Sequence, residues 1–527
     1  MRRTLFALIC LGLTFAVSAP AGPRAPAPAL APVTATTFVA SGRGWGHGVG
    51  MSQYGALGYA NDGWTYDQIL AHFYTGAELG PAPVARVRVL VAESRASLTV
   101  SSPVPFRVRD LFGKTYPLQA GDVVLGPKLR VSVNGAPTEL VGPILFLPGS
   151  SPLSLDGGHA YRGQLEVGVN GQKLSAINSI GLEQYLAGVV PREMPSAWPA
   201  EALKAQAVAA RSYALAHRLG GKGFDLYADV RSQVYGGVGA EHPAATAAIE
   251  ATAAEVLLWE GKPIDALFHS TSGGKTLAAE EVFGKAVPYL TAVDDPHSAL
   301  SPVNRWGPTP IPESAIRKGL KLRSPVTALK LTRGASGRVV SVQAVTASGT
   351  ATVSGAALRA ATGLRSTWIT SWGSLSLTRP GGTAVFGKPL AIAGKAQGIK
   401  GAVLSQRSDG AWRPLAGLSV KVKLLAPTSF RISAGKVAGP VLKVPVAPLV
   451  RLAATARNLS GTVKPLTGGT SVEVQQLLDG TWATVLEATA DETGRFTALA
   501  PQPGVYRART APVQGFAEGL SGQLEVP

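Results

Sequence analysis

Residues 185–217 read Tyr-Leu-Ala-Gly-Val-Val-Pro-Arg-Glu-Met-Pro-Ser-Ala-Trp-Pro-Ala-Glu-Ala-Leu-Lys-Ala-Gln-Ala-Val-Ala-Ala-Arg-Ser-Tyr-Ala-Leu-Ala-His. The second half of this stretch predicts a helix: Pro199 suits a first-turn position, Glu201 lies near the positive end of the dipole, and Ala, Leu, Lys and Gln follow. Leu203, Ala207, Ala210 and Ala214 form one apolar stripe, and small alanines let neighbours approach, so this helix is expected to be central and largely buried. Just ahead of it stands Glu193, between Arg192 and Met194 and bracketed by Pro191 and Pro195, which argue against regular helix around the carboxylate. Met194, Trp198 and the prolines supply apolar surface, and desolvation there raises a carboxyl toward neutrality, as a general acid requires. From the residues alone a plainer role stays open, with Glu193 at a helix entrance and paired with Arg192 or water.

Outward from this stretch, the 527 residues allow about two to four domains, each with its own core. Lys plus Arg number 50 against 32 Asp plus Glu, a formal charge of +18 that suits an anionic polymer or surface. No basic run with interleaved aromatics and no nucleic-acid module is present, so nucleic acid is not an expected partner. Residues 1–21 read as an export signal, with Arg2 and Arg3 before an apolar run and Ala19-Pro20-Ala21 at its end. The single cysteine, Cys10, lies inside that signal, so the mature chain is expected to hold no disulfide and no thiolate metal ligand. No later segment reads as transmembrane, and an exported protein of the periplasm, cell wall or exterior is expected.

Residues 22–37 are rich in Pro and Ala and read as an extended spacer. Then comes Gly42-Arg43-Gly44-Trp45-Gly46-His47-Gly48-Val49-Gly50-Met51-Ser52-Gln53-Tyr54-Gly55-Ala56. Its glycines permit tight turns and close approach of a ligand, and His47, Ser52, Gln53 and Tyr54 are its polar handles. The Gly-Lys-Ser/Thr ending of a phosphate-binding loop is missing. Residues 66–74 predict a short amphipathic helix with Ile69, Leu70 and Phe73 inward. From Val84 the period is two, with strands separated by Gly and Pro turns and the clearest hairpin at 165–177 around Asn170-Gly171.

Beyond the long helix, 244–254 predicts a second Ala-rich helix, and 256–259 with 264–268 a hairpin. It ends in His269-Ser270-Thr271-Ser272-Gly273-Gly274-Lys275, a candidate site loop. Ser272 and Lys275 match the Ser-x-x-Lys tetrad of penicillin-recognising enzymes, but glycines break the helix that tetrad should open, and its companion motifs are missing. Further strands follow at 326–353. After residue 376, short strands rich in Gly, Val and Thr predict β-sandwich modules. Ser408-Asp409-Gly410-Ala411-Trp412 recurs as Leu478-Asp479-Gly480-Thr481-Trp482, 70 positions on, as expected of two related modules that bind or space.

The chain resembles the SpoIID/LytB family, a sporulation cell-wall enzyme and an amidase enhancer. The resemblance rests on Tyr161-Arg162-Gly163 through Asn178, residues 183–195, residues 198–211, Phe268 through Gly274 and the Gly-rich 42–58, together most of residues 38–372. It implies a mixed, β-rich SpoIID-like core around the central buried helix; with the two small all-β sandwich modules read from composition and the repeat, the expected fold class is α+β. The expected layout is a signal at 1–21, a spacer at 22–37, a Gly-rich segment at 38–80 that docks on a core at 81–375, and modules at 376–452 and 453–527. The resemblance further implies that Glu193 is the single acid/base of a lytic transglycosylase acting on peptidoglycan glycan strands. Arg192, Lys204, Gln206, Arg211, His269, Ser270 and Ser272, with His47, Ser52, Gln53 and Tyr54, are candidate glycan-binding residues. Ordinary hydrolysis would want a second carboxylate about 5–9 Å away; only Glu183 and Glu201 are near in sequence.

Two departures from the family pattern bear on the site. The Gly-Arg-Gly-Trp-Gly-His-Gly stretch commonly follows the Leu-Arg-Ser-Thr segment, whereas here it comes first. The expectation is therefore that it docks near the end of the 326–372 strands and brings His47, Ser52 and Gln53 beside His269 and Glu193. Some relatives hold zinc partly through cysteines; none remains here, so neither metal nor cofactor is expected. Two other functions stay open: a non-catalytic peptidoglycan binder that enhances a separate cell-wall amidase, and an acyl-transfer enzyme using Ser270 or Ser272.

Overall fold

The computed structural model describes residues 32–220, 223–465, 469–512 and 515–527. The expected export signal and most of the expected spacer lie outside the described residues. The spacer's last five residues do not: Val33–Arg43 is a strand. Its Val-Thr-Ala-Thr-Thr run has the β-branched side chains that suit a pleated surface, and Thr34 and Thr36 bond the hydroxyls of Thr378 and Ser376 at 2.9 and 3.0 Å. Among the described residues no helix is long and apolar enough to cross a membrane.

The chain divides into two compact units, and both are strand-rich, in keeping with a mixed α+β class. One comprises Ala40–Thr309 and Ser314–Ser371. Its largest sheet has seven strands, in the order Leu226–Tyr227, Arg86–Arg95, Lys173–Gly181, Gln164–Asn170, Ile144–Leu147, Phe106–Arg109 and Thr115–Leu118. The hairpin at its centre closes on the pair Asn170 and Lys173, so the turn is Gly171-Gln172, one residue later than the Asn-Gly dipeptide suggests. Six helices matter for the site: α1 (Gln53–Asn61), α2 (Tyr66–Phe73), α3 (Leu182–Ala187), α4 (Val190–Glu193), α5 (Ala200–Ala216) and α6 (Pro243–Ala251).

Helix α5 is buried on almost every face, because it serves two cores. Ala207, Ala210 and Ala214 pack with Val87, Ile180, Tyr185 and Ile249 against the large sheet. Leu203, Ala205 and Val208 pack with Met51, Leu70, Phe73 and Met194 on the other side. Alanine keeps the helix narrow enough for both layers to close on it. Between them sits Arg211, fully buried. Its guanidinium donates to both oxygens of Glu183 (3.0 and 2.5 Å) and to the carbonyl of Glu255 at 2.8 Å. Segment 264–267, expected as a strand, is not one: the hairpin strand Glu255–Trp259 pairs with Lys262–Pro263 on one side and with Glu78–Pro81 on the other, and Phe268–His269 pairs elsewhere.

The other unit comprises Trp372–Pro527 with residues up to Val39 and Pro310–Glu313. It has one core around Leu375, Ile392, Leu404, Phe430 and Ile432 and another around Val450, Val463, Val472 and Phe496. The repeated Asp-Gly-x-Trp stretches occupy matching places. In each, the residue seven before the Trp faces an arginine on the next strand, Ser405 with Arg431 and Gln475 with Arg507. Those guanidiniums lie 4.4 Å from the Trp412 ring centre and 4.2 Å from that of Trp482.

The buried position of Arg211 gives a first expected outcome. Arg211→Ala leaves backbone carbonyls and Glu183 without their donor, a loss of roughly 3 kcal/mol, at the lower end for a buried pair because Glu183 is partly exposed. Urea denaturation of the full chain measures it; a change under about 0.5 kcal/mol, the level of an ordinary surface substitution, would contradict this role.

Candidate functional site

The Gly-rich segment reaches its place by pairing with residues more than two hundred positions away. Met51–Ser52 runs parallel to Phe268–His269, Trp45 and Thr271 exchange hydrogen bonds of 2.8 and 3.0 Å, and Gly46 N donates to Arg365 O at 2.9 Å. Two glycines make the approach possible. At Gly46 (φ +121) a Cβ would lie 2.6 Å from His269 Cβ, and at Gly50 (φ +70) 2.0 Å from Leu267 O. The close backbone sets His47 beside His269, with ring centres 5.4 Å apart.

Hydrogen bonding to the main chain assigns both tautomers. His47 Nδ1 accepts from Val49 N at 3.1 Å, so Nε2 carries the proton and donates to Phe268 O at 2.9 Å. His269 Nδ1 donates to Val49 O at 3.2 Å, which leaves Nε2 a buried acceptor with no partner among the described residues. Burial lowers His47 to about 4 and His269 well below 6.5, so both are neutral at neutral pH. Zinc fits poorly here: His47 has no free nitrogen, and among the described residues no three His, Cys, Asp or Glu groups converge.

Ser52 caps α1 by accepting from Gly55 N at 3.2 Å. The next residue, Gln53, ties three segments together: its Nε2 donates to Glu193 O at 3.0 Å and to Gln206 Oε1 at 3.2 Å. Tyr54 N donates to Ser270 O at 3.1 Å, and the Tyr54 ring meets Trp198 edge-on at 4.9 Å. Glu193 is the last residue of α4; a short helix forms despite the prolines, because Pro191 occupies its first turn and Pro195 falls beyond its end. The carboxyl is half-buried. Desolvation raises its pKa above 4.5, opposed by a hydrogen bond from the Val234 main chain. Among the described residues no Lys or Arg forms an ion pair with it. Arg192 is exposed beside it, and Ser270 is half-buried with Oγ 3.2 Å from Thr271 Oγ1.

Four of the candidates serve the interior or their own helix instead. Arg211 is committed to Glu183, as above, and cannot meet a glycan. Gln206 is fully buried. Ser272 is fully buried and donates to Asp295 Oδ2 at 2.6 Å, a hydroxyl fixed on a carboxylate with no access for an acyl donor. Lys204 Nζ binds Glu201 at 2.7 Å, and Glu201 also accepts from Tyr66 N at 2.8 Å.

Two features escape sequence reasoning. His217 Nε2 lies 2.7 Å from Asp265 Oδ1, and Tyr213 stacks on His217 with ring centres 4.1 Å apart. The Tyr213 hydroxyl is raised by burial, then by the charges of Asp265 and Glu193, so one phenol shares its surroundings with both carboxylates. The only signal is the i, i+4 spacing of Tyr213 and His217 on α5. Trp45 is 48% exposed, with Arg365 over its ring at 5.1 Å, an aromatic face open to solvent.

Residues 170–259 match the family model described as Stage II sporulation protein. A 140-residue stretch is 38% identical to the amidase enhancer of Bacillus subtilis, 27% of this chain and 19% of that protein. Another, of 228 residues, is 31% identical to stage II sporulation protein D of Bacillus amyloliquefaciens, 39% of this chain and 65% of that protein. A third, of 139 residues, is 40% identical to an uncharacterized protein of Brachyspira hyodysenteriae, 26% of this chain and 38% of that protein. The chain thus spans less than two thirds of the length of each of these relatives. The matched segment, running from the central hairpin through Glu193 and α5 to the strand at Glu255–Trp259, belongs to the SpoIID/LytB family.

Proposed function

We propose that this chain acts on the bacterial cell wall as a lytic transglycosylase, cleaving the bond between N-acetylmuramic acid and N-acetylglucosamine with Glu193 as its only acid/base. The observation that carries this reading is the state of Glu193: a half-buried carboxyl, raised by desolvation, without an ion pair among the described residues and anchored through its own carbonyl by Gln53. Such a group holds a proton to higher pH than an exposed glutamate and so can give it up to a leaving oxygen. In the proposed reaction Glu193 protonates the glycosidic oxygen as the C1–O bond breaks. The resulting carboxylate then takes the proton of the muramic C6 hydroxyl as that oxygen bonds to C1, which regenerates the acid and leaves a 1,6-anhydro end.

The neighbouring carboxylates favour this internal attack over hydrolysis. A water-activating base must be unencumbered, yet Glu183 is clamped by Arg211, Glu201 by Lys204 and Tyr66 N, and Asp265 by His217. Exposed Arg192, half-buried Ser270, Tyr54 and Trp198 are the groups this reading assigns to glycan binding. The likeness to a protein named amidase enhancer favours a second reading, in which the chain binds peptidoglycan and stimulates a separate amidase without turnover.

Mass spectrometry of fragments released from purified peptidoglycan separates the two. The wild-type chain is expected to release anhydro-muramic ends, and Glu193→Gln to lower that release by about 10²–10⁴-fold. Fragments from neither protein, with both still sedimenting with the wall, would favour the enhancer reading.

The raised pKa also has a signed effect on stability. A carboxyl whose folded pKa lies above its unfolded value favours folding at low pH and loses that contribution as pH rises through the folded pKa. Glu193→Gln is therefore expected to unfold at a higher temperature than wild type at pH 7, with the gap closing as pH falls through the raised pKa and gone below about 4.5. Thermal unfolding across that range measures it, and a less stable variant at pH 7 would show that ionised Glu193 is favourably held.

A further inference from the structure

Apart from Glu193, the same unit contains a cavity of about 110 Å³ whose wall includes His47, Arg338, Arg359 and Glu281 together with Leu277, Val282 and Val339. Its charges do not balance. Arg338 is 2% exposed; one terminal nitrogen donates to Ser272 O at 2.6 Å and Lys275 O at 3.0 Å. Its Nε, also buried, meets no acceptor among the described residues. Arg359 uses Nε on the carbonyls of Leu364 and Arg365, at 3.2 and 3.1 Å, and its terminal nitrogens have no partner among the described residues. Against these two cations stands one carboxylate, Glu281, which already accepts from Ser336 Oγ at 2.6 Å. His47 adds no charge at neutral pH. Arg338 lies over the Trp368 ring at 4.6 Å, which offsets part of its charge, so the net positive charge is left chiefly on half-buried Arg359, beside an apolar wall.

We propose that this cavity binds a short aliphatic monocarboxylate, its carboxylate received by Arg338 and Arg359 and its alkyl part by Leu277, Val282 and Val339. The charge count asks for one negative charge, and a planar carboxylate matches the paired donors of a guanidinium. The volume admits a few heavy atoms beyond the space a water needs. The apolar wall gives a doubly charged, strongly hydrated phosphate nothing in return for its lost water. The site is distinct from Glu193 and does not depend on the transglycosylase reading.

The test is calorimetric titration of the full chain at constant ionic strength with propionate, with N-acetyl-D-alanine, whose carboxylate ends a larger group, and with inorganic phosphate and neutral propionamide. Saturable binding of propionate, with no response to propionamide, is expected. Arg359→Ala is expected to weaken it at least tenfold, and Glu281→Gln, which removes the competing negative charge, to tighten it severalfold. Binding of acetyl-alanine as well would identify a chain-terminal carboxylate as ligand; propionate alone would identify a free acid. Absence of saturation by either acid, tighter binding of phosphate, or unchanged affinity in Glu281→Gln would overturn the proposal, the last even if Arg359→Ala fails to fold.

Discussion

One helix with solvent on almost none of its faces governs the larger unit. Because α5 must fit between two apolar layers, its buried sides are mostly alanine, with a few larger side chains such as Leu203, Val208 and Arg211 set among them. Packing of this density fixes the direction in which the chain enters the helix. Met194, 1% exposed, is held in one of the two layers, so the turn carrying Glu193 cannot drift relative to α5. The catalytic candidate thus borrows its rigidity from a core rather than from bonds to its own carboxyl. That leaves the carboxyl available for chemistry.

The polar groups around it divide by job. His47 and His269, the residue type most often chosen for proton transfer, are kept neutral and engaged with the main chain, where they fasten the Gly-rich segment to the Phe268 strand. Gln53 does the same between that segment and the turn at Glu193. Ser272 and Asp295 form an inward pair. Glu193, Arg192, Ser270 and the Asp265–His217 pair remain within reach of solvent, and the charges of Asp265 and Glu193 both act on the Tyr213 hydroxyl.

Much of this was legible before any coordinates, and the failures have physical causes. The long helix could be read from composition and spacing, because alanine stripes state their environment directly. Helix α1 could not: Gly55 and Gly58 give it weak intrinsic propensity, and it forms because Ser52 caps it and Tyr59 and Ala56 pack into a core. The hairpin turn slipped by one residue because dipeptide preference is weaker than the register the long strands impose. Arg211 read as a glycan contact because a cation in an alanine helix looks exposed, whereas Glu183, 28 residues earlier, draws it inside. The His217–Asp265 pair, 48 residues apart, leaves no local pattern at all.

The pairing of Trp45 with Thr271 and of Gly46 with Arg365 bears on how this unit is made. During synthesis the Gly-rich segment emerges before the rest of this unit, yet the strand at Phe268–His269 and the loop at Arg365 that receive its backbone are translated more than two hundred residues later. Its glycines give it no stable local structure of its own, so it has to wait, unpaired, while the hairpins and α5 assemble from nearer contacts. The element that completes the site is therefore the earliest to leave the ribosome and among the last to find its seat.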